Sequence, residues 1–269
     1  MLLEVLEITL NAGKAIMDIY HGSTQISYKS DSSPVTNADK IANEIIKSAL
    51  QREFPDIPFI TEEQVNLDYS VRQEWDLCWL IDPIDGTREF INKNGEFTVN
   101  IALAKQGVPV FGVVYAPAIN VLYFTNNDTS YKSTIELNSD PEEIVKNATK
   151  LPLEQNNTDY TIAISRSHQN ETTLNYIETL KNAGKKVNLL AMGSSLKICL
   201  VAEGTAHEYP RFGTTMEWDT AAAHAIARYA GCVLSDIVSN TEITYNKPSL
   251  VNPQFITRSI KTYGQHGQS

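Results

Sequence analysis

An apolar run that ends in two acids constrains this chain more than any other feature. Cys78-Trp79-Leu80-Ile81 reads as a buried strand, and Asp82-Pro83-Ile84-Asp85-Gly86-Thr87 follows it directly. A carboxylate taken out of water without a partner is costly, so something at the end of such a strand has to offset the charge. Pro83 keeps Asp82 out of the helical region, and Gly86 opens backbone conformations closed to other residues. The stretch 82–87 therefore reads as a tight irregular turn that aims Asp82, Asp85 and the carbonyl of Ile84 at one point. Carboxylates with a carbonyl form a hard oxygen set suited to Mg2+ or Mn2+. The plainer alternative is that Asp82 only begins a turn, as Asp-Pro often does.

Other acids occupy comparable places. Glu62 and Glu63 follow a short strand at 57–60, Asp39 falls in the first turn of a helix over 37–52 that Asn37 can cap, and Asp219 opens a helix over 218–230. Strand ends and helix starts are where alternating folds place ligand sites. Taken singly, Asp219 is as readily a helix cap, and Glu62-Glu63 a solvated surface. Taken together, the acids suggest two or more ions, since one Mg2+ usually accepts only one or two carboxylates. A covalent aspartyl-phosphate of the haloacid-dehalogenase type is disfavoured, because Pro83 stands where that chemistry needs an aspartate.

The remainder reads as an α/β chain. A helix spans 2–20. The Gly-, Ser- and Asp-rich stretch 22–36 is a loop or loose hairpin whose Asp31, Ser32 and Ser33 can close over a site, and strands follow at 97–104, 110–116 and 121–124. The polar stretch 126–159 suggests a boundary between two units, 1–150 and 151–269, and beyond it strands and helices alternate. In that second half Gly193-Ser194-Ser195 opens a helix whose free N–H groups suit an anion, with Lys197 in its first turn. Ser165 and His168 sit at a strand exit, and Arg211 precedes Phe212. Helix capping, a solvated lysine and Arg–aromatic packing are the ordinary alternatives for these residues.

Composition removes several function classes. A net charge of −10 argues against a nucleic-acid polymer as partner. Cys78, Cys199 and Cys232 form no CxxC pair, against a structural zinc or a redox couple. His21, His207, His224 and His266 show no ligand spacing. The most apolar region, 108–124, is broken by Gly112, Pro117 and Asn120 and does not read as a spanning helix. With no basic, apolar leader, the expectation is a cytoplasmic protein, a monomer in preference to a dimer, with peripheral attachment to the inner membrane left open.

Three motifs together resemble the inositol monophosphatase superfamily of metal-dependent, lithium-sensitive phosphatases: Asp82-Pro83-Ile84-Asp85-Gly86-Thr87 with Phe90, Trp218-Asp219-Thr220-Ala221-Ala222 with Ile226, and Ile60-Thr61-Glu62-Glu63. The resemblance runs over nearly the whole chain. Thr87-Arg88-Glu89-Phe90, the stretch 94–100, Ser165-Arg166-Ser167-His168, Gly193-Ser194-Ser195-Leu196-Lys197 and Tyr209-Pro210-Arg211-Phe212-Gly213 are similar to its bisphosphate nucleotidase branch. It departs at Thr61, where Gly or Ser is usual, and at Ala223, where Gly is common.

The resemblance implies an alternating αβαβα sandwich. It implies that Glu62, Asp82, Asp85, Asp219 and the Ile84 carbonyl bind two or more Mg2+ ions, and that Asp39 and Thr87 activate the attacking water. It places substrate at Glu62, Asp85, Gly86, Thr87, Ser165, His168, Gly193, Lys197 and Asp219, with Glu63 and Arg211 as further candidates. The implied substrate is a small nucleotide bisphosphate, adenosine 3',5'-bisphosphate, cleaved to AMP and phosphate in sulfur assimilation, with 3'-phosphoadenosine 5'-phosphosulfate as a second substrate. The alternatives are an inositol monophosphatase or fructose-bisphosphatase-like sugar phosphatase and, from another class, a non-catalytic metal-binding regulator.

Overall fold

The computed structural model describes residues 1–28, 34–64, 68–135, 139–154, 159–167 and 170–260. Helices α1 (Leu2–His21) and α2 (Asn37–Glu53) are separated by the short antiparallel strands β1 (Ile26–Tyr28) and β2 (Pro34–Thr36). The described ends of the 22–36 stretch thus pair as a hairpin, while Asp31, Ser32 and Ser33 lie outside the described residues. Next come β3 (Phe59–Thr61), the one-turn α3 (Tyr69–Arg72), β4 (Leu77–Asp85), the short α4 (Thr87–Ile91), β5 (Thr98–Lys105), β6 (Val108–Ala116), β7 (Val121–Asn126), β8 (Thr129–Thr134), α5 (Pro141–Asn147) and β9 (Thr149–Lys150). The second half holds β10 (Tyr160–Ser165), α6 (Glu171–Asn182), β11 (Val187–Met192), α7 (Leu196–Ala202), β12 (Glu208–Arg211), α8 (Glu217–Tyr229), β13 (Cys232–Asp236) and β14 (Phe255–Ser259).

β3 to β9 form a seven-stranded sheet in chain order, antiparallel except for the parallel pair β3–β4. The second sheet has the order β11-β10-β12-β14-β13. Alternation along β4 shows how the layers form. Trp79 and Ile81 enter a core shared with α1 and α2, whereas Cys78 and Leu80 face a second core with α7, α8 and the five-stranded sheet. A third, small cluster joins Ile162 and Ile164 to Ile177 of α6. The result is helices, sheet, helices, sheet, helix: the alternating αβαβα arrangement.

Several expectations need correction. β4 does not stop at Ile81 but runs through Pro83 to Asp85. Asp82 pairs with Asn100 and Asp85 with Thr98, so β4 carries one residue more than β5 over this span. That is a β-bulge, one of the few interior strand positions where a proline is tolerated. The polar region 126–159 contains β8, α5 and β9, because its Ser and Thr side chains face inward with partners: Ser130 Oγ donates to the Ile226 carbonyl. β14 has no counterpart in the sequence reading. Thr36, not Asn37, caps α2: its hydroxyl accepts from Ala38 N–H, while Asn37 Oδ1 turns outward to accept from Gln25 N–H.

α8 lies across the first sheet because β6 offers Gly112 where they meet. A Cβ there would stand 2.2 Å from the Ala222 carbonyl oxygen and 3.0 Å from Ala225 Cβ. No described helix is long and apolar enough to cross a membrane.

Candidate active site

A cleft of about 280 Å³ opens between the two sheets, and the expected acids meet in it: Glu62 beyond β3, Asp82 and Asp85 on the bulged end of β4, and Asp219 in the first turn of α8. The Ile84 carbonyl belongs to the same bulge, whose shape Asp82 maintains by accepting from Ile84 N–H at 3.0 Å. Gly86 follows in the left-handed conformation (φ 90°), and its carbonyl accepts from Phe90 N–H to start α4. The strand is thereby turned so that Thr87 lines the cleft.

Asp39 reaches the site from α2. Its Oδ2 accepts from both Thr36 N–H (2.7 Å) and the Thr36 hydroxyl (2.6 Å), and its Oδ1 accepts a long hydrogen bond from Thr87 Oγ at 3.4 Å. One carboxylate oxygen is therefore held by the helix cap and the other is turned toward Thr87. Burial pushes the Asp39 pKa up to about 6. The Thr36 hydrogen bonds oppose the shift, and the charges of Glu62 and Glu63 add to it. Glu63 acts here through its charge on Asp39.

The field of the cleft is negative. Asp82, 1% exposed, has its pKa raised well above the usual carboxylate range by burial and by Glu62, Asp85 and Asp219. Asp219 is raised likewise by burial and Asp85, against the Met216 N–H that it accepts at 2.8 Å. Asp219 is thus three residues into the turn rather than the cap that a sequence reading allows. Asp85 is pushed up only to about 6, because Lys197 and the Ser195 N–H counter its burial.

That last contact corrects the expected anion site. The Ser195 N–H, at the start of α7, already holds the protein's own Asp85, and Gly193 N–H donates to Glu96 Oε2 at 2.8 Å. Gly193 is needed for packing: a Cβ would lie 2.6 Å from the Glu96 carbonyl oxygen and 2.7 Å from Glu89 Cγ. Lys197 is buried rather than solvated; burial lowers its pKa to about 8, with Asp85 resisting. It still lines the cleft, as do Ser165 and Arg211. His168 lies outside the described residues.

Sequence reasoning gave no site role to Tyr209, Arg88 and Glu89, which also line the cleft, or to the contacts that tie Glu89 and Glu96 to the exit of β10. Arg166 donates to both carboxylate oxygens of Glu96 (2.7 and 2.6 Å), and Ser167 Oγ donates to Glu89 at 2.6 Å. Their motifs are visible in the sequence, but which of them pair is not, because the partners lie 70 and 78 positions apart.

No three His, Cys, Asp or Glu side chains among the described residues stand in the arrangement of a finished metal centre. The fit rests on donor chemistry: the carboxylates of Glu62, Asp82, Asp85 and Asp219 and the Ile84 carbonyl meet in one cleft, and burial together with like charge raises the pKa of Asp82 and Asp219, so they form a hard oxygen set that a divalent cation would neutralise. A Thr hydroxyl and a separate carboxylate stand beside it.

Residues 2–266 match the inositol monophosphatase family. The chain is 43% identical to the 3'(2'),5'-bisphosphate nucleotidase CysQ of Salmonella typhimurium, covering 95% of this chain and 98% of that protein, and 41% identical to CysQ of Escherichia coli K12 over the same shares. The crystal structure of CysQ from Bacteroides thetaiotaomicron superposes with a TM-score of 0.86 at 41% identity, covering 95% of this chain and 96% of that one.

Proposed function

The chain belongs to the inositol monophosphatase family, and from that premise we propose that it is a metal-dependent 3'(2'),5'-bisphosphate nucleotidase that cleaves adenosine 3',5'-bisphosphate to AMP and phosphate. The observation that carries the reading is the meeting of Glu62, Asp82, Asp85 and Asp219 in one cleft with Thr87 and Asp39 at its edge, in a chain 41–43% identical over 95% of its length to proteins of that activity.

The four carboxylates and the Ile84 carbonyl would hold Mg2+, two or more ions in all. When bound, Mg2+ would lower the pKa of coordinated water and neutralise charge on the phosphate. Thr87 Oγ takes a proton from the attacking water while passing its own to Asp39 Oδ1, the oxygen the helix cap leaves available. Attack in line with the departing 3'-oxygen breaks the ester P–O bond without a covalent intermediate, and solvent protonates the alcohol released. Lys197 and Arg211, with Ser165 beside them, are the cationic and polar groups of the opposite wall and would take the substrate's other phosphate.

Asp39 must be ionised to accept the proton, so kcat/KM should fall about tenfold per pH unit below about 6. Asp39→Asn and Thr87→Val should each lower kcat by about 10²–10⁴-fold. A kcat within about twofold of the parent in Asp39→Asn at saturating Mg2+ would remove Asp39 from the proton path.

Phosphate release tests the assignment as a whole. EDTA should abolish it and Mg2+ restore it. Adenosine 3',5'-bisphosphate should be preferred to inositol 1-phosphate by at least about tenfold, a margin that one well-made polar contact can supply. The reverse preference would make the protein a sugar phosphatase, and no release from any monoester would favour a regulator.

A further inference from the structure

The first turn of α8 has to carry Asp219 into a field of like charge, and its cap residue, Met216, offers no side-chain oxygen to hold the turn. The support comes from the segment before β14. Glu217 N–H donates to the Leu250 carbonyl and Asn252 N–H to the Thr215 carbonyl, both at 2.9 Å, with Met216 and Val251 facing each other as an isolated antiparallel bridge.

Within this bridge one side chain spans the whole turn. Asn252 is 7% exposed, and its Nδ2 lies 2.7 Å from the Met216 carbonyl, 2.9 Å from Thr220 Oγ and 3.2 Å from Thr215 Oγ. Thr215, Asp219 and Thr220 line the cleft, and Asn252 stands behind them. Asn252 Oδ1, in contrast, is buried without a hydrogen-bond partner among the described residues. Reversing the amide would set Oδ1 against the Met216 carbonyl oxygen, the nearest of the three partners at 2.7 Å. The amide is therefore fixed in the orientation that serves the Asp219 turn, at the expense of its own oxygen, and neither Asp nor Leu reproduces its donors.

We propose that Asn252 is a positioning residue for Asp219, stapling Thr215, Met216 and Thr220 so that the carboxylate keeps its place against the repulsion of Asp85 and Glu62. The inference rests on the reading of Asp219 as a Mg2+ ligand. Loss of an outer partner of a ligand typically weakens metal affinity by about 10–100-fold.

The test is Mg2+ binding, measured by calorimetry and as the Mg2+-induced rise in melting temperature, on the unmodified protein, Asn252→Leu and Asn252→Asp. The expected result is a Mg2+ dissociation constant raised at least tenfold in both variants, with the KM for adenosine 3',5'-bisphosphate at saturating Mg2+ within about twofold of the parent, the margin left when only the metal's support is lost. Thr220→Val, which removes one of the three acceptors, should give a smaller rise and covers the case in which the Asn252 variants do not fold. A lowered melting temperature with unchanged Mg2+ affinity would overturn the proposal and leave Asn252 a packing residue. Failure of the unmodified protein to bind Mg2+ would overturn the metal reading itself, and this inference with it.

Discussion

Asp82→Asn should abolish phosphatase activity and, at the same time, make the metal-free protein more stable. The carboxyl is 1% exposed, and the neighbours that act on it, Glu62, Asp85 and Asp219, are all acidic. Folding therefore keeps it neutral far above its ordinary range. While that holds, each pH unit above about 4 costs about 1.4 kcal/mol of stability, because a proton must be taken from an increasingly dilute supply. Asparagine is neutral without that proton and keeps the oxygen that accepts from Ile84 N–H. The gain in EDTA should be largest at pH 7–8 and vanish near pH 4, since a group with a raised folded pKa contributes its stability below the unfolded value and loses it as pH rises. Even half of what that slope gives by pH 7, about 2 kcal/mol, would raise the melting temperature by about 4–8 °C in a chain of this size. Activity should fall at least about 10³-fold, because an electrostatic stabiliser of the developing charge is lost together with the site that holds it. The pair of results is diagnostic: a variant destabilised in EDTA would mean that Asp82 has a cationic partner, and retained Mg2+-dependent activity would remove the bulge from the metal site.

Gly112→Ala should be the most damaging small substitution remote from the acids. Its Cβ would meet a backbone oxygen, that of Ala222, at 2.2 Å, so no rotamer change can relieve the contact. Overpacking of this kind costs about 1–3 kcal/mol, or a drop of about 2–12 °C in melting temperature. α8 would have to lift from β6, and Asp219, one turn away on the same helix, would lift with it. The concentration of Mg2+ for half-maximal activity should therefore rise even where the variant is fully folded. A melting temperature within 1 °C of the parent, a margin well below the about 2 °C that 1 kcal/mol would produce, would show that the helix seat has slack.

How much of this was legible beforehand depended on distance along the chain. The bulge acids, Gly86 and the helix of Asp219 could be read because their chemistry and backbone demands lie within a few adjacent residues. The partner of Asp39 could be named only by resemblance, because Thr87 joins it across 48 positions. The readings that failed are those in which a distant residue decides. Whether the N–H groups at 193–195 are free depends on Glu96 and Asp85, and the plain alternative of a solvated Lys197 is removed by the second sheet packed over it. β8 was obscured by inward-facing Ser and Thr, which are polar in sequence yet buried by satisfied hydrogen bonds. β14 offers five residues with only two apolar at its start, too short a signal to separate from a loop.

That last strand has a consequence for the protein as it is made. β14 lies between β12 and β13, and Arg211 of β12 and Phe255 of β14 both line the cleft. During synthesis the seven-stranded sheet has all its strands once residue 150 has left the ribosome, and domains emerging first tend to fold first. The wall opposite the acids stays unzipped on one side until residues 255–259 emerge. A nascent chain therefore completes the strand that carries Asp82 and Asp85 well before the wall that carries Arg211 and Phe255.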